Sequence, residues 1–425
     1  MEIKKEYKMT DVGVIPEDWE VRSIGEMYSF KNGLNKDKDS FGFGTPIINY
    51  MDVYKNNGLT SKCIKGKVSL SDYEISYFLV KKGDVFFTRT SETPEEVGIA
   101  SVLLDELPKG VFSGFLLRAR PNGNDIEPLL CKYIFTTESF RSSVIQNSTY
   151  TTRALTNGAI LSSLYVAFPK SIVEQQAIAD ALTKVDNLIT SLTKVIEKKK
   201  LIKKGAMQKL LSGEMRLDGF DVEWERKQIG KIGITYSGIT GKNKSDFGHG
   251  TAKYITFLNV LNNPIINTKE LELVDISSNE NQNKALKGDL FFNVSSETPE
   301  EVGICSVLLD DISNLYVNSF CFGFRITDKE VSGIYLSYLF RTSLGRDKMS
   351  SIAQGATRYN LSKDYFNEIE LTIPPTKAEQ TAIANILTTM DNEIEALEKE
   401  RDKYKCIKQG MMQQLLTGKI RLTCQ

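Results

Sequence analysis

SETPEEVGI at 91–99 recurs unchanged at 296–304, and the SVLLD that follows it at 101–105 recurs at 306–310. Outward from this pair, Phe86-Phe87 and Gly83-Asp84 match Phe291-Phe292 and Gly288-Asp289, while Ile24-Gly25 and Trp19 match Ile229-Gly230 and Trp224. Downstream, Tyr133, Arg141 and Arg153 match Tyr338, Arg346 and Arg358. Glu174-Gln175, Asp186 and Leu210-Leu211 match Glu379-Gln380, Asp391 and Leu415-Leu416. Every pair is 205 positions apart; the register slips by one or two residues only around 40–80, where SFGFGT at 40–45 faces DFGHGT at 246–251. A solenoid needs units of roughly 20–50 residues, so the pattern predicts two whole-domain copies.

Each copy changes character once. Residues 1–170 mix apparent strands (GDVFFTRT, YVAF) with turn clusters such as KNG, FGFG and PNGN. From about 174 to 211 the apolar spacing becomes alternately four and three, through Ile178, Leu182, Val185, Ile189, Leu192 and Ile196. Ile383, Leu387, Met390, Ile394 and Leu397 repeat it in the second copy. This is a heptad seam, and each helix is expected to run about 38 residues, or about 57 Å. Gly205 and Gly410 interrupt the last turns at about 1 kcal/mol each and mark a bend or a close backbone approach. Ser212-Gly213 and Thr417-Gly418 supply the stops.

Chain connectivity makes the two helices antiparallel if they share a seam. Charge agrees: pairing Ile178 with Leu416 sets Lys198, Lys199 and Lys200 beside Glu393, Glu395 and Glu398, and Asp186 near Lys408. The expectation is an α+β chain with two mixed α/β domains, separated by two long antiparallel coiled-coil helices in pseudo-twofold array.

At 425 residues two or three domains are expected. Lys plus Arg, at 54, equals Asp plus Glu, so any basic footprint is local. The six cysteines form no CxxC pair, and His249 is the only imidazole, so no metal site is expected. A single histidine also removes most acid, base and triad chemistry. MEIKKEYKMTDVGVIPEDW has no apolar signal core and no run approaches the ~20 apolar residues of a membrane span, so no membrane partner and a cytoplasmic, reduced setting are expected. Neither a P-loop nor a Gly-rich cofactor turn appears.

The ordered motifs resemble those of specificity subunits of type I restriction-modification systems. Each copy opens with that family's entry motif, GVIPEDWEVRSIGEM at 13–27 and the more degenerate GFDVEWERKQIGKI at 219–232. AFPKSIVEQQAIADAL at 167–182 and TIPPTKAEQTAIANIL at 372–387 resemble its Pro-rich step into a conserved helix, and MQKLLSGEMRL at 207–217 and MQQLLTGKIRL at 412–422 its closing motif. The resemblance implies target-recognition domains at 1–170 and 218–375, each followed by a conserved spacer helix, at 171–217 and 376–425. It implies a non-catalytic reader of double-stranded DNA whose helices dock two methyltransferase subunits, joined by restriction subunits that translocate DNA. No cofactor is expected in this chain; S-adenosylmethionine, ATP and magnesium would belong to those partners. The first copy departs from the family at RALTNGAILSSL, 153–164, where the second has the more family-like RYNLSKDYFNEI at 358–369.

Thr93-Pro94-Glu95-Glu96 reads as a helix start, with Thr at N-cap, Pro at N1 and Glu at N3; its identity in both copies fits scaffold better than base reading. Just before it the copies diverge, Thr88-Arg89-Thr90 against Asn293-Val294-Ser295. Arg can hold guanine and Asn adenine bidentately, so Thr88, Arg89, Thr90, Asn293 and Ser295 are candidate base readers, against the alternative of an ordinary solvated strand end. Arg153 and Arg358, in small-residue loops, are candidate phosphate contacts, as are Lys36, Lys38, Lys242 and Lys244 in Gly-rich turns. A stand-alone nuclease built on Asp84 and Asp289, or a protein scaffold acting through its coil, are the competing functions.

Overall fold

The computed structural model describes residues 6–422 apart from 278 and 356; Cys424 lies outside the described residues. The chain forms two compact units, one of residues 6–193 with 399–422 and the other of residues 194–398. Each unit therefore holds one domain copy, the start of one long helix and the end of the other. The helices span Ile172–Ser212 and Lys377–Leu415.

In the first unit a five-stranded sheet runs in the order Tyr28–Asn32, Leu116–Pro121, Val85–Thr88, Ala100–Leu103, Gly58–Leu59. Its pairings are antiparallel except the last. Val85–Thr88 is buried at every position, as a strand covered on both faces requires. Phe86 faces Phe112 at 5.5 Å, and Phe87 meets Phe135 edge-on at 5.3 Å. A smaller sheet pairs Phe41–Ile48 with Lys67–Val68 and Val111–Phe112, and Trp19–Ser23 pairs antiparallel with Tyr165–Pro169 to close the domain.

The second unit repeats this plan. Its four-stranded sheet runs Gly233–Ser237, Cys321–Ile326, Leu290–Asn293, Cys305–Val307, and Glu225–Gln228 closes on Glu370–Ile373. Phe292 packs between Phe322, Phe340 and Phe366 with centroids 4.9–5.3 Å away. The departure from the family pattern at 153–164 does not change this architecture. A short helix forms at Gly158–Ser162 in one copy and Lys363–Glu368 in the other, the first capped by Asn157 Oδ1 accepting from the Ile160 N–H at 2.9 Å.

The helices are antiparallel within each unit. Ile178, Ala179 and Leu182, at the start of the first helix, share a buried cluster with Leu415 and Leu416 at the end of the second. In the other unit Leu210 and Leu211 share one with Ile383, Ala384 and Leu387. Both clusters continue into the domain core, so each helix packs on its own domain as well as along the coil. The remaining seam residues are half-buried at Val185, Ile189, Leu192, Met390 and Leu397 and buried at Ile196 and Ile394. The charge register follows the expected pairing. Lys408 meets Asp186 at 2.6 Å, Lys199 meets Glu393 and Lys200 meets Glu398 at 2.6 Å each, and Lys203 pairs with Asp391. Exposed pairs such as Lys199–Glu393 contribute little stability, about 0–1 kcal/mol, and act chiefly on register. Asp186 and Asp391 are fixed more firmly, each accepting a tyrosine O–H, from Tyr133 and Tyr338, at 2.8 Å.

Gly205 and Gly410 differ from expectation. Both lie inside continuous helix, and a Cβ at either would meet nothing within 4 Å, so neither marks a close approach within the chain. Gly205→Ala is accordingly expected to stabilise the second unit by about 0.5–1 kcal/mol, read as a higher denaturant midpoint.

Candidate nucleic-acid interface

The repeated SETPEEVGI segment is held from inside and outside. On the inside, Thr88 Oγ1 donates to the Glu96 carbonyl at 3.3 Å and accepts from the Ile99 N–H at 2.9 Å. Asn293 makes the same two links with different atoms: Nδ2 donates to the Glu301 carbonyl at 2.9 Å and Oδ1 accepts from the Ile304 N–H at 2.6 Å. Both side chains are fully buried. This corrects their reading as base contacts: their hydrogen-bonding capacity is spent on the loop, and neither reaches a surface. On the outside, Arg141 donates to the carbonyls of Glu95, Val97 and Gly98 at 2.8 Å, and Arg346 grips those of Glu300, Val302 and Gly303.

The expected helix start shrinks to one 3-10 turn at Pro94–Glu96, and Thr93 makes no capping bond through its side chain. Glu96 instead accepts from Ser91 Oγ at 3.1 Å and from the Tyr54 hydroxyl at 2.6 Å, and Glu301 accepts from Ser296 Oγ at 3.1 Å. Glu96 and Glu301 are thus held within the scaffold by these bonds, and Glu95 and Glu300 are exposed.

Asp84 and Asp289, the carboxylates a nuclease would need, are also engaged. Arg120 grips Asp84 bidentately at 2.6 and 2.8 Å, and Arg325 grips Asp289 at 2.7 and 3.0 Å, where the Tyr236 hydroxyl adds a bond of 2.6 Å. Burial beside Asp289 pushes the Tyr236 phenol well above its ordinary value. Among the described residues no cluster of three or more His, Cys, Asp or Glu could hold a metal. His249 is exposed, its Nε2 against the Ser245 carbonyl at 2.7 Å.

The other candidates converge. In the first unit the strand Thr90–Ser91 pairs with Ala154–Leu155, which places exposed Arg153 beside it. Arg89 is half-buried; its Nη1 donates to the Gly114 carbonyl at 3.0 Å and its N–H to the Phe115 carbonyl at 3.1 Å. The Gly114 N–H donates to the Leu34 carbonyl at 2.7 Å, bringing the 33–38 turn, with Lys36 and Lys38, to the same region. In the second unit Ser295 pairs with Asn360, next to the turn bearing exposed Arg358. The Val294 N–H donates to the Phe320 carbonyl at 2.9 Å, and the Ile239 N–H to the Val317 carbonyl at 2.8 Å, adjoining the turn with Lys242 and Lys244. Ser295 itself is mostly buried in its strand pair, so it is an inner member of this surface.

Two of the four lysines are already paired. Lys36 Nζ meets Glu74 at 2.7 Å and Lys242 Nζ meets Glu280 at 2.6 Å, while Lys38 and Lys244 are exposed. The lysine, helped by backbone N–H groups of Ser71 and Ser277, holds each carboxyl at about 2. Because these values are depressed, the pairs persist from the ordinary carboxylate range upward and are lost only as pH falls towards about 2.

Sequence reasoning missed the turns Ser113-Gly114-Phe115 and Asn318-Ser319-Phe320, to which the other residues are joined. The available signal was a phenylalanine repeated at the 205 offset after a small residue.

A family model for the type I restriction modification DNA specificity domain matches residues 16–203 and again 221–403. The chain is 28% identical to the putative type I restriction enzyme MjaX specificity subunit of Methanocaldococcus jannaschii, covering 99% of this chain and 97% of that protein. It is 25% identical to the MjaVIII specificity subunit of the same organism, over 96% and 94%. Its fold is similar to that of the type I restriction-modification S subunit from M. genitalium, with TM-score 0.59 and 15% identity over 98% of each chain. A chain solved in work on complex assembly and conformational transition of the type I R-M system gives TM-score 0.54 at 16% identity, over 96% of this chain and 99% of that one.

Proposed function

The chain belongs to the type I restriction modification DNA specificity family, and we propose that it reads a bipartite DNA site, one half-site per unit, on behalf of catalytic partner subunits. It is the specificity subunit of a type I restriction-modification system, with two recognition domains. Such subunits are DNA-recognition components rather than catalysts.

The observation that carries the bipartite reading is the duplicated surface: in each unit the 89–90 or 294–295 strand end, an exposed arginine turn and a lysine turn meet around one phenylalanine. Arg153 and Arg358, with Lys38 and Lys244, suit phosphate, and the divergent Arg89-Thr90 and Val294-Ser295 positions suit different base sequences. Two methyltransferase subunits dock on the long helices, and restriction subunits that translocate DNA join them. S-adenosylmethionine, ATP and magnesium act on those partners, in the cytoplasm. No helix among the described residues is long and apolar enough to cross a membrane.

The test is a selection from random duplexes by the chain assembled with its methyltransferase, followed by binding at rising salt. A preferred sequence that survives salt supports the reading; purely nonspecific, salt-labile binding contradicts it.

The paired lysines give a second expectation. Glu74→Gln and Glu280→Gln free Lys36 and Lys242. Each should raise nonspecific affinity and steepen the dependence of log K on log salt by about 1. Unchanged slopes would show that these lysines face no phosphate.

A further inference from the structure

We propose that Phe115 and Phe320 are the aromatic wedges of the two recognition domains, each inserting against a base step of its half-site. The inference deepens the reading of this surface as a DNA reader and rests on it.

Both rings are largely solvent-exposed, at 63% and 57%. Single exposed apolar side chains are common and mean little alone. Here the position recurs at the 205 offset, and the backbone beneath each ring is over-determined in the same way. The Phe115 N–H donates to Ser113 Oγ at 3.4 Å, and the Phe320 N–H to Asn318 Oδ1 at 2.8 Å. Two residues of different chemistry thus build one side-chain-closed turn. Both phenylalanine carbonyls accept an N–H from the divergent strand end, at Arg89 and Val294. On the other side the chain touches a glycine without room for a side chain. A Cβ at Gly33 would lie 2.0 Å from the Ser113 carbonyl oxygen, and one at Gly238 2.1 Å from that of Asn318.

Folding gains little from an exposed ring on so rigid a turn, whereas a wedge needs that rigidity, because ordering it on binding would cost affinity. Among the described residues no other exposed aromatic recurs as an exposed one: Phe41 is matched by Phe247, which is half-buried against Tyr254. At the 206 offset that aligns Glu74 with Glu280, Tyr73 faces Asn279 and Phe43 faces His249, and Tyr77 faces no aromatic at either offset. Flanking arginine and lysine turns supply the phosphate contacts that hold a duplex while an apolar side chain unstacks a step.

The experiment uses the chain assembled with its methyltransferase and duplexes carrying 2-aminopurine, scanned through each half-site of the selected sequence. Wild type should raise fluorescence at one step in each half-site. Phe115→Ala should abolish the rise in one half-site, Phe320→Ala in the other, and each should weaken specific binding roughly tenfold. The salt slope should stay unchanged, and Phe115→Trp and Phe320→Trp should each preserve both readouts. Alanine variants that bind within twofold of wild type with the same fluorescence overturn the inference. So does loss of methyltransferase association in place of the fluorescence change, which would make the rings a protein contact. A wild-type complex without sequence preference would instead defeat the functional reading itself.

Discussion

Replacing Arg216 with Met is expected to destabilise the second unit by about 3 kcal/mol, whereas Glu379→Gln should cost much less. The asymmetry follows from burial. Glu379 is 2% exposed and accepts Arg216 Nε at 2.8 Å, Nη2 at 3.0 Å and the Trp224 indole N–H at 3.2 Å, while Arg216 keeps 29% exposure. Removing the arginine strands a buried carboxylate on one indole donor. Neutralising the glutamate leaves a guanidinium that water still reaches and that also donates to the Val222 carbonyl at 2.9 Å. Arg216→Lys should fall between, since an ammonium cannot reproduce the bidentate fork. The first unit carries the counterpart: Arg421 grips Glu174, also 2% exposed, at 2.5 and 2.7 Å, and Asp18 at 2.7 and 2.8 Å. Arg421→Met should therefore weaken that unit in the same way. Because the chain has two compact units, the readout is hydrogen exchange resolved by segment rather than a single melting temperature. Equal losses for Arg216→Met and Glu379→Gln would contradict the burial argument.

Asn293→Ala is expected to cost about 2 kcal/mol, because the part-buried Ile304 N–H and Glu301 carbonyl both lose the partner that the fully buried Asn293 side chain supplies. Exchange should rise first across 296–304, the loop the side chain secures. Asn293→Asp keeps the acceptor for Ile304 but loses the donor for Glu301 and sets a carboxylate against a carbonyl, so it should be no better than Ala. If instead Asn293→Ala leaves the fold intact and changes only the DNA sequence recognised, its assignment as a structural latch fails.

Those two positions show where sequence reading stopped. Thr88 and Asn293 differ, end a strand and have the right chemistry for bases, so divergence pointed to recognition. Their orientation is set by the loop closing eight to eleven residues later, and each residue is a separate solution to one structural demand. Strand-end polarity alone does not reveal which way a side chain faces. The ion pairs of Lys36 and Lys242 are a second feature that strand-end and turn chemistry does not reveal. Lys36 and Lys242, like Glu74 and Glu280, are 206 positions apart, so the pair recurs at the shifted register of this region, but sequence spacing alone does not show that the two turns meet. The coil, in contrast, was readable to individual residues. Its apolar period, the duplication and complementary charge each constrain the same antiparallel alignment, and Asp186–Lys408 follows from the alignment that pairs Ile178 with Leu416. Exposure was the property least accessible from sequence, which is why Phe115 and Phe320 were missed although they repeat.

Whether each recognition domain reads one half-site independently is decided by mapping methylated bases genome-wide in a host carrying this chain with its methyltransferase. The same map is then made for a chain whose residues 13–170 are replaced by its own residues 218–375, a substitution in register at the 205 offset. The expected result is a bipartite motif for the natural chain and, for the altered one, a motif whose halves both carry the second domain's sequence. A motif unchanged by the replacement, or one uninterrupted sequence in either case, would contradict it.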